Sequence, residues 1–222
     1  MPRLLIADDH PLFRLALAQA LCEVVPGSDV LEAGSLAQAR ERLEAETDID
    51  LILLDLHMPD SHGLMGLTAL RSEHPGIAVV MISAHDDPHT IRRALAYGAS
   101  AFIPKRSDVE RLREALRAVL AGESYLPPEL REAVQASSPS ARDADTAARL
   151  ASLTPQQFKV LVRVADGELN KQIADALGIS LRTVKAHLTA LFEKLGVRNR
   201  TQASVILRSL ELVDPARRVS TD

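Results

Sequence analysis

The sequence predicts a parallel α/β domain, five-stranded and doubly wound in the flavodoxin-like order, followed by an all-α unit of four short helices. Three observations carry that prediction. Five short apolar runs alternate with amphipathic stretches over residues 1–121, a Pro- and Ser-containing stretch breaks the pattern, and the remainder shows helix punctuation without strand signals. The apolar runs lie at 4–7, 30–31, 51–54, 77–82 and 101–103. Runs that are apolar at every position belong to strands covered on both faces, which is the signature of a parallel sheet.

Helix starts fall between the runs. Pro11 suits a first-turn position, and Ser35, Asp87 followed by Pro88, and Ser107 each precede an apolar-periodic segment. From 122 to 150 no apolar period is sustained, Pro127-Pro128 and Ser137-Ser138-Pro139-Ser140 interrupt it, and the segment reads as a linker with helical potential at 129–134. The helical unit is taken as 151–213, with 214–222 as a tail. Its punctuation is Thr154-Pro155, Gly167, Asn170 as a cap, Gly178, Ser180 as a cap, and Gly196.

Composition narrows the class. The chain has 222 residues, 46% hydrophobic and 25% charged, which suits packed cores rather than disorder. No apolar run is long enough for a membrane span and no signal peptide is evident, so a cytoplasmic protein without membrane contact is expected. The single cysteine, Cys22, cannot form an internal disulfide and is expected on a packed helix face beside Leu17, Leu21, Val24 and Val25. Formal charge is −4 overall but divides unevenly, −6 over 1–121 and +4 over 151–222. An acidic front and a basic back fit a cation or phosphate site in one domain and a polyanion surface in the other.

Polar residues fall at the ends of the apolar runs. Asp8 and Asp9 follow the first, Asp55 the third, Ser83 the fourth, and Lys105 lies just past the fifth. In an open parallel sheet these positions share one rim, where ligands bind. Three carboxylates on one rim repel unless a cation intervenes, and Mg²⁺, a hard ion that prefers oxygen ligands, suits such a set. Singly, each residue also has a structural reading: Asp8-Asp9 as a helix cap, Asp55 as a solvated strand end, and a nearby aromatic, Phe102, as core. His57, His62, His85 and His89 lie on loops near the same rim, which leaves a transition-metal site open as a second reading.

The strings Asp55-Leu56-His57-Met58-Pro59 with Gly63, and Gly98-Ala99-Ser100-Ala101-Phe102-Ile103-Pro104-Lys105, resemble the receiver domain of response regulators over about residues 1–121. The resemblance implies that Asp55 accepts a phosphoryl group from a histidine kinase. It implies that Asp8, Asp9, Asp55 and the backbone carbonyl of His57 hold Mg²⁺, that Lys105 and Ser83 contact phosphoryl oxygens, and that Ser83 and Phe102 form a switch. His57 and His85 occupy positions that in the family tune the lifetime of the acyl phosphate. The protein would then assist its own phosphorylation and dephosphorylation without being an enzyme in the ordinary sense.

In the back half, the segment 170–177, a turn at Gly178-Ile179 and a second helix opened by Ser180 form a helix-turn-helix. Val184, Leu188, Leu191 and Leu195 recur at spacings of three or four, which turns Arg182, Lys185, Ala186 and Thr189 outward as a slim basic face fit for a major groove. The residues Leu153-Thr154-Pro155, Asn170-Lys171-Gln172-Ile173-Ala174, Thr183-Val184-Lys185-Ala186-His187 and Lys194-Leu195-Gly196-Val197 resemble the LuxR/NarL-type DNA-binding domain. That resemblance implies base contacts by Lys185, Ala186 and Thr189. It implies backbone contacts by Lys171, Thr183, His187 and, more loosely, Arg200. Gln156-Gln157 departs from the family's usual Arg-Glu, and the glutamate there helps lock the helices together.

The whole chain is thus similar to a NarL/FixJ-type two-component response regulator. The resemblance implies a transcription regulator that binds promoter DNA as a homodimer when phosphorylated, with RNA polymerase a further partner. Val205, Ile206, Leu210 and Val213 on the final helix are the candidate dimer contact. Two alternatives stand: a Mg²⁺-dependent phosphatase, which the Asp8-Asp9-His10 string does not favour, and a phosphate-independent interaction module fused to the DNA-binding unit.

Overall fold

The computed structural model describes residues 1–46, 48–136 and 141–211. Five parallel strands form the front domain: β1 (Arg3–Ala7), β2 (Asp29–Ala33), β3 (Leu51–Asp55), β6 (Ala78–Ser83) and β7 (Ala101–Pro104), in the order β2-β1-β3-β6-β7. Two short strands, β4 (His57–Met58) and β5 (Ser61–His62), make an antiparallel hairpin directly after β3. Helices α1 (Pro11–Val24) and α5 (Val109–Leu120) cover one face of the sheet. Helices α2 (Leu36–Ala45), α3 (Met65–Glu73) and α4 (Pro88–Ala96) cover the other.

Apolar residues alternate between the two faces along each buried strand. Leu4, Ile6, Leu51, Leu53, Val80 and Ile82 pack with α1 and α5, whereas Leu5, Ile52, Leu54, Met81 and Phe102 pack with the opposite layer. Helix starts follow the sequence at Pro11, Ser35, Asp87, Thr154 and Ser180. Two starts are shifted by one residue. Asp108, not Ser107, caps α5, because its carboxylate is placed to accept from Arg111 N–H at 2.9 Å. Leu169, not Asn170, occupies the cap of α9 (Asn170–Leu177); it has no side-chain acceptor, and its N–H donates to Gln172 Oε1 at 2.6 Å.

Beyond the sheet lie α6 (Pro128–Ala136) and α7 (Ala141–Ala151), so the stretch read as a linker is helical over most of its length; residues 137–140 and the tail 214–222 lie outside the described residues. Tyr125 pairs with Ala101 at the sheet edge and donates its hydroxyl to Glu114 at 2.7 Å, which ties the start of this segment to α5. The helical unit then comprises α8 (Pro155–Ala165), α9, α10 (Leu181–Leu195) and α11 (Arg200–Arg208).

The α3/α4 layer continues into the helical unit. Leu150, Phe158, Leu161, Leu207 and Leu210 are buried in the same apolar cluster as Leu67, Leu70 and Ile91. Two receiver-side donors meet the end of α11: Leu64 N–H donates to the Leu210 carbonyl at 3.0 Å, and the buried Arg93 guanidinium donates to the Ser209 carbonyl. The last carbonyls of a helix have no partner within it, and here the α/β domain supplies part of the cap. Cys22 departs from expectation. It is exposed, because the buried stripe of α1 runs through Leu17, Leu21 and Val24 and leaves the next position facing outward.

Candidate functional site

The rim at the carboxyl ends of β1, β3, β6 and β7 gathers the residues that the sequence pointed to. Asp8 is 2% exposed and Asp55 7%, and Lys105 Nζ lies 2.7 Å from Asp8 Oδ2 and 2.9 Å from Asp55 Oδ2. Asp8, Asp9, His10 and Asp55 each offer a ligand atom, all within 4.8 Å of one another. His10 Nδ1 stands 2.7 Å from Asp9 Oδ1 and 3.3 Å from Asp8 Oδ1.

Electrostatics show what this set lacks. Burial pushes the Asp55 carboxyl up from 3.8 to about 6; Lys105 and the His57 N–H pull it down, and the neighbouring charge of Asp8 pushes it further up. Burial also works against the Lys105 ammonium, but its hydrogen bonds and attraction to Asp8 and Asp55 outweigh that and hold its pKa above the ordinary lysine value. Three carboxylates face one ammonium, so a divalent cation matches the remaining negative charge, and the hard oxygen donors fit Mg²⁺.

Ser83 is 1% exposed at the end of β6, and its Oγ accepts from His85 N–H at 2.9 Å. Phe102 is fully buried on β7, facing Met81 across the strand pair. The rings of His57 and His85 stack with centroids 5.1 Å apart. His89 lies instead 3.7 Å from Asp143 of α7. Among the described residues the only cluster of three or more metal-ligating groups is the acidic one at the rim. The hairpin carrying His57 packs against α3: a Cβ added to Gly66 would stand 2.7 Å from Ser61 Oγ, so a larger residue there would require the Ser61 hydroxyl to move.

A second candidate site lies on α9 and α10. Gly178 holds a left-handed conformation (φ 63°) that makes the turn between them without a Cβ penalty. Ser180 caps α10, and Thr183 Oγ1 lies 2.8 Å from Ser180 Oγ. Arg182, Lys185, Ala186, Thr189 and Lys171 are exposed, and Thr183 and His187 half-buried. Val184, Leu191 and Leu195 are buried, as their spacing requires.

Two residues differ from what the resemblance implied. Arg200 is half-buried and spends Nη2 on the carbonyls of Val164 and Glu168 at the end of α8, so it braces the fold instead of lying open for a phosphate. Gln157, in the family's glutamate position, is 7% exposed and keeps the lock in neutral form. Its Oε1 accepts from Thr154 N–H at 3.0 Å and from Lys194 Nζ at 2.8 Å, while Lys194 also donates to the Ser152 carbonyl.

With this geometry established, comparison with known proteins decides the family. The response regulator receiver domain matches residues 4–117, and the luxR family of bacterial regulatory proteins matches 151–207. The chain belongs to the response regulators with a luxR-type DNA-binding domain. This response regulator is 44% identical over 207 residues to the glycerol metabolism activator of Pseudomonas putida, covering 91% of this chain and 93% of that protein. It is 36% identical to the nitrate/nitrite response regulator protein NarP of Escherichia coli (strain K12), covering 92% and 93% of the two chains. Among solved structures, the RcsB response regulator of Salmonella typhimurium shares the fold at a TM-score of 0.58 and 22% identity, over 94% of this chain and 98% of that one. The five-stranded parallel sheet and the helix-turn-helix unit are those of a DNA-binding response regulator. Among the described residues no helix is long and apolar enough to cross a membrane.

Proposed function

We propose that this response regulator is a cytoplasmic transcription regulator switched by phosphorylation of Asp55. A histidine kinase supplies the phosphoryl group: a carboxylate oxygen of Asp55 attacks phosphorus, the bond to the donor imidazole nitrogen breaks, and an acyl phosphate forms. The observation that carries this reading is the Lys105 ammonium held at once on Asp8 and Asp55, on a rim formed by adjacent strand ends. Phosphoryl transfer asks chiefly for positioning and charge neutralisation. Lys105 and Ser83 are placed to meet two phosphoryl oxygens. Asp8, Asp9, Asp55 and the His57 carbonyl are the groups that would hold Mg²⁺, which when bound supplies further neutralisation of the phosphoryl oxygens.

The domains we assign are 1–121 as receiver, 122–150 as connecting segment, and 151–213 as DNA-binding domain. DNA contact is assigned to Lys185, Ala186 and Thr189 toward bases, and to Lys171, Arg182, Thr183 and His187 toward the backbone. The exposure of Arg182, Lys185, Ala186 and Thr189 on α10, that of Lys171 on α9, and the net positive charge of this half support it. The docked arrangement leaves α10 open but buries Leu207 and Leu210 at the end of α11. Phosphorylation then favours undocking, which frees this end of α11 for a homodimer on promoter DNA. Val205, 57% exposed, lies on the outward side of α11, away from Leu207; Val213 lies outside the described residues.

Incubation with a small phosphodonor and Mg²⁺, followed by intact-mass measurement and DNA titration, tests the reading. Wild type gains one phosphoryl group and binds DNA more tightly; Asp55→Ala does neither. Equal stimulation of the variant would place the switch elsewhere.

A further inference from the structure

The Lys105 ammonium has three donor directions, and the two carboxylates account for two of them. The third side is closed by a ring: Nζ stands 4.7 Å from the centroid of Phe13. Phe13 sits in the first turn of α1, two residues after Pro11, which fixes the backbone there. Its ring lines a small hollow of about 140 Å³ between α1 and α5, together with Lys105, Ile82, Ile103, Val109 and Leu112. Phe13 also packs against the apolar cluster beneath α1 and α5, so the ring is held on that side while it meets the ammonium on the other.

We propose that Phe13 is a positioning residue for phosphoryl binding, acting through a cation–π contact that keeps Lys105 directed into the rim. This rests on the reading of Asp55 as phosphoacceptor and of Lys105 as the partner of a phosphoryl oxygen. A lysine ammonium is a compact charge on a flexible four-carbon stem, so its reach alone does not define its place. Once Asp55 carries the phosphoryl group as an acyl phosphate, one of the two carboxylates that anchor Nζ loses its charge and Lys105 must turn from it to a phosphoryl oxygen while it stays on Asp8. The face of an aromatic ring attracts a cation without competing for its hydrogen bonds, so Phe13 can hold Nζ at the rim through that change. An apolar side chain of similar bulk would pack against the same cluster and leave the ammonium unguided.

The test uses the full chain with Mg²⁺ and titrates beryllofluoride, a phosphoryl mimic, by calorimetry. Phe13→Leu should weaken beryllofluoride binding about three- to tenfold, the range of a partly desolvated cation–π contact. Phe13→Tyr, which restores the ring face, should return affinity to near the wild-type value. In a Lys105→Ala background, Phe13→Leu should cause no further loss, which separates guidance of Lys105 from packing. Equal affinity of wild type and Phe13→Leu overturns the inference, as does an undiminished loss in the Lys105→Ala background. Absence of binding by the wild type would overturn the reading of Asp55 itself and this inference with it.

Discussion

Arg93→Ala is the most direct probe of how the two domains are held together. Arg93 is 7% exposed on α4, donates to the Ser209 carbonyl at the end of α11, lies 3.6 Å from Asp143 of α7 and 5.9 Å from the Tyr97 ring centroid. A hydrogen bond to a charged group is worth about 1.5–3 kcal/mol. Ser209 is itself exposed, so water replaces the lost donor and keeps the cost near the lower end. We therefore expect docking to weaken by about 1.5–2 kcal/mol, a shift of roughly 10- to 30-fold toward the undocked form. The Leu64 amide reports this without ambiguity, because its bond crosses from α3 to Leu210. Hydrogen exchange at Leu64 should accelerate by that factor in Arg93→Ala, while amides within β3 and β6 keep their protection. Arg93→Lys, which retains charge but not the planar fork, should fall between the two. If Leu64 exchanges at the wild-type rate in Arg93→Ala, the guanidinium does not hold the domains, and the docking rests on the shared apolar cluster instead.

Three further outcomes follow from the same geometry. Asp55 has its pKa raised from 3.8 to about 6, so its contribution to stability is fully present below pH 3.8 and is lost as pH rises through 6; at 1.36 kcal/mol per pH unit that amounts to about 3 kcal/mol. In EDTA, Asp55→Asn should thus gain stability over wild type by up to that amount at pH 7.5 but show little gain at pH 4, and a gain independent of pH in urea unfolding would contradict it. Gln157→Glu should stabilise the DNA-binding domain by about 1 kcal/mol, since Lys194 would then meet a carboxylate and a charge-assisted bond is roughly twice as strong as a neutral one; a lowered thermal midpoint would show that charge at this buried position costs more than the bond returns. Lys185→Ala should weaken DNA binding by about 1 kcal/mol or more and change either base preference or salt slope, and affinity equal to wild type across salt concentrations would remove Lys185 from the interface.

The acidic rim was legible because strand chemistry makes it so. Runs apolar at every position end where polar residues begin, and in a parallel sheet all those ends point the same way, so Asp8, Asp55, Ser83 and Lys105 could be brought together from spacing alone. The outward face of α10 was legible for a similar reason, since a period of 3.6 sorts Lys185 from Val184. What the pattern does not encode is which elements lie against one another. Phe13 reads as a helix residue of α1, and nothing in its neighbours announces Lys105, 92 positions away. Arg93 reads as an ordinary polar helix position, Gln157 reads as a lost lock and Arg200 as a DNA contact, and the bonds they make to Ser209, Lys194 and Val164 exist only once the helices are packed.

The same limit changes how the two sites are connected. Family resemblance directs attention to Phe102, the last receiver helix and the linker, and α5 is indeed joined to that segment through Glu114 and Tyr125. The DNA-binding domain itself, however, rests on α3 and α4. Leu64 caps α3 at the end of the loop that starts from Asp55, and that loop packs closely on α3, with Ser61 Oγ against Gly66. Under the proposed switch at Asp55, the hairpin, the Leu64 amide and the Leu210 carbonyl 3.0 Å beyond it form a contiguous route to α11 that does not pass through Phe102. A displacement of this loop by even a few tenths of an ångström acts on a hydrogen bond that spans the domains. Movement of α4 acts on the neighbouring one through Arg93. Because both bonds fall on consecutive carbonyls at one helix end, either route, on the proposed switch, would act on the same contact.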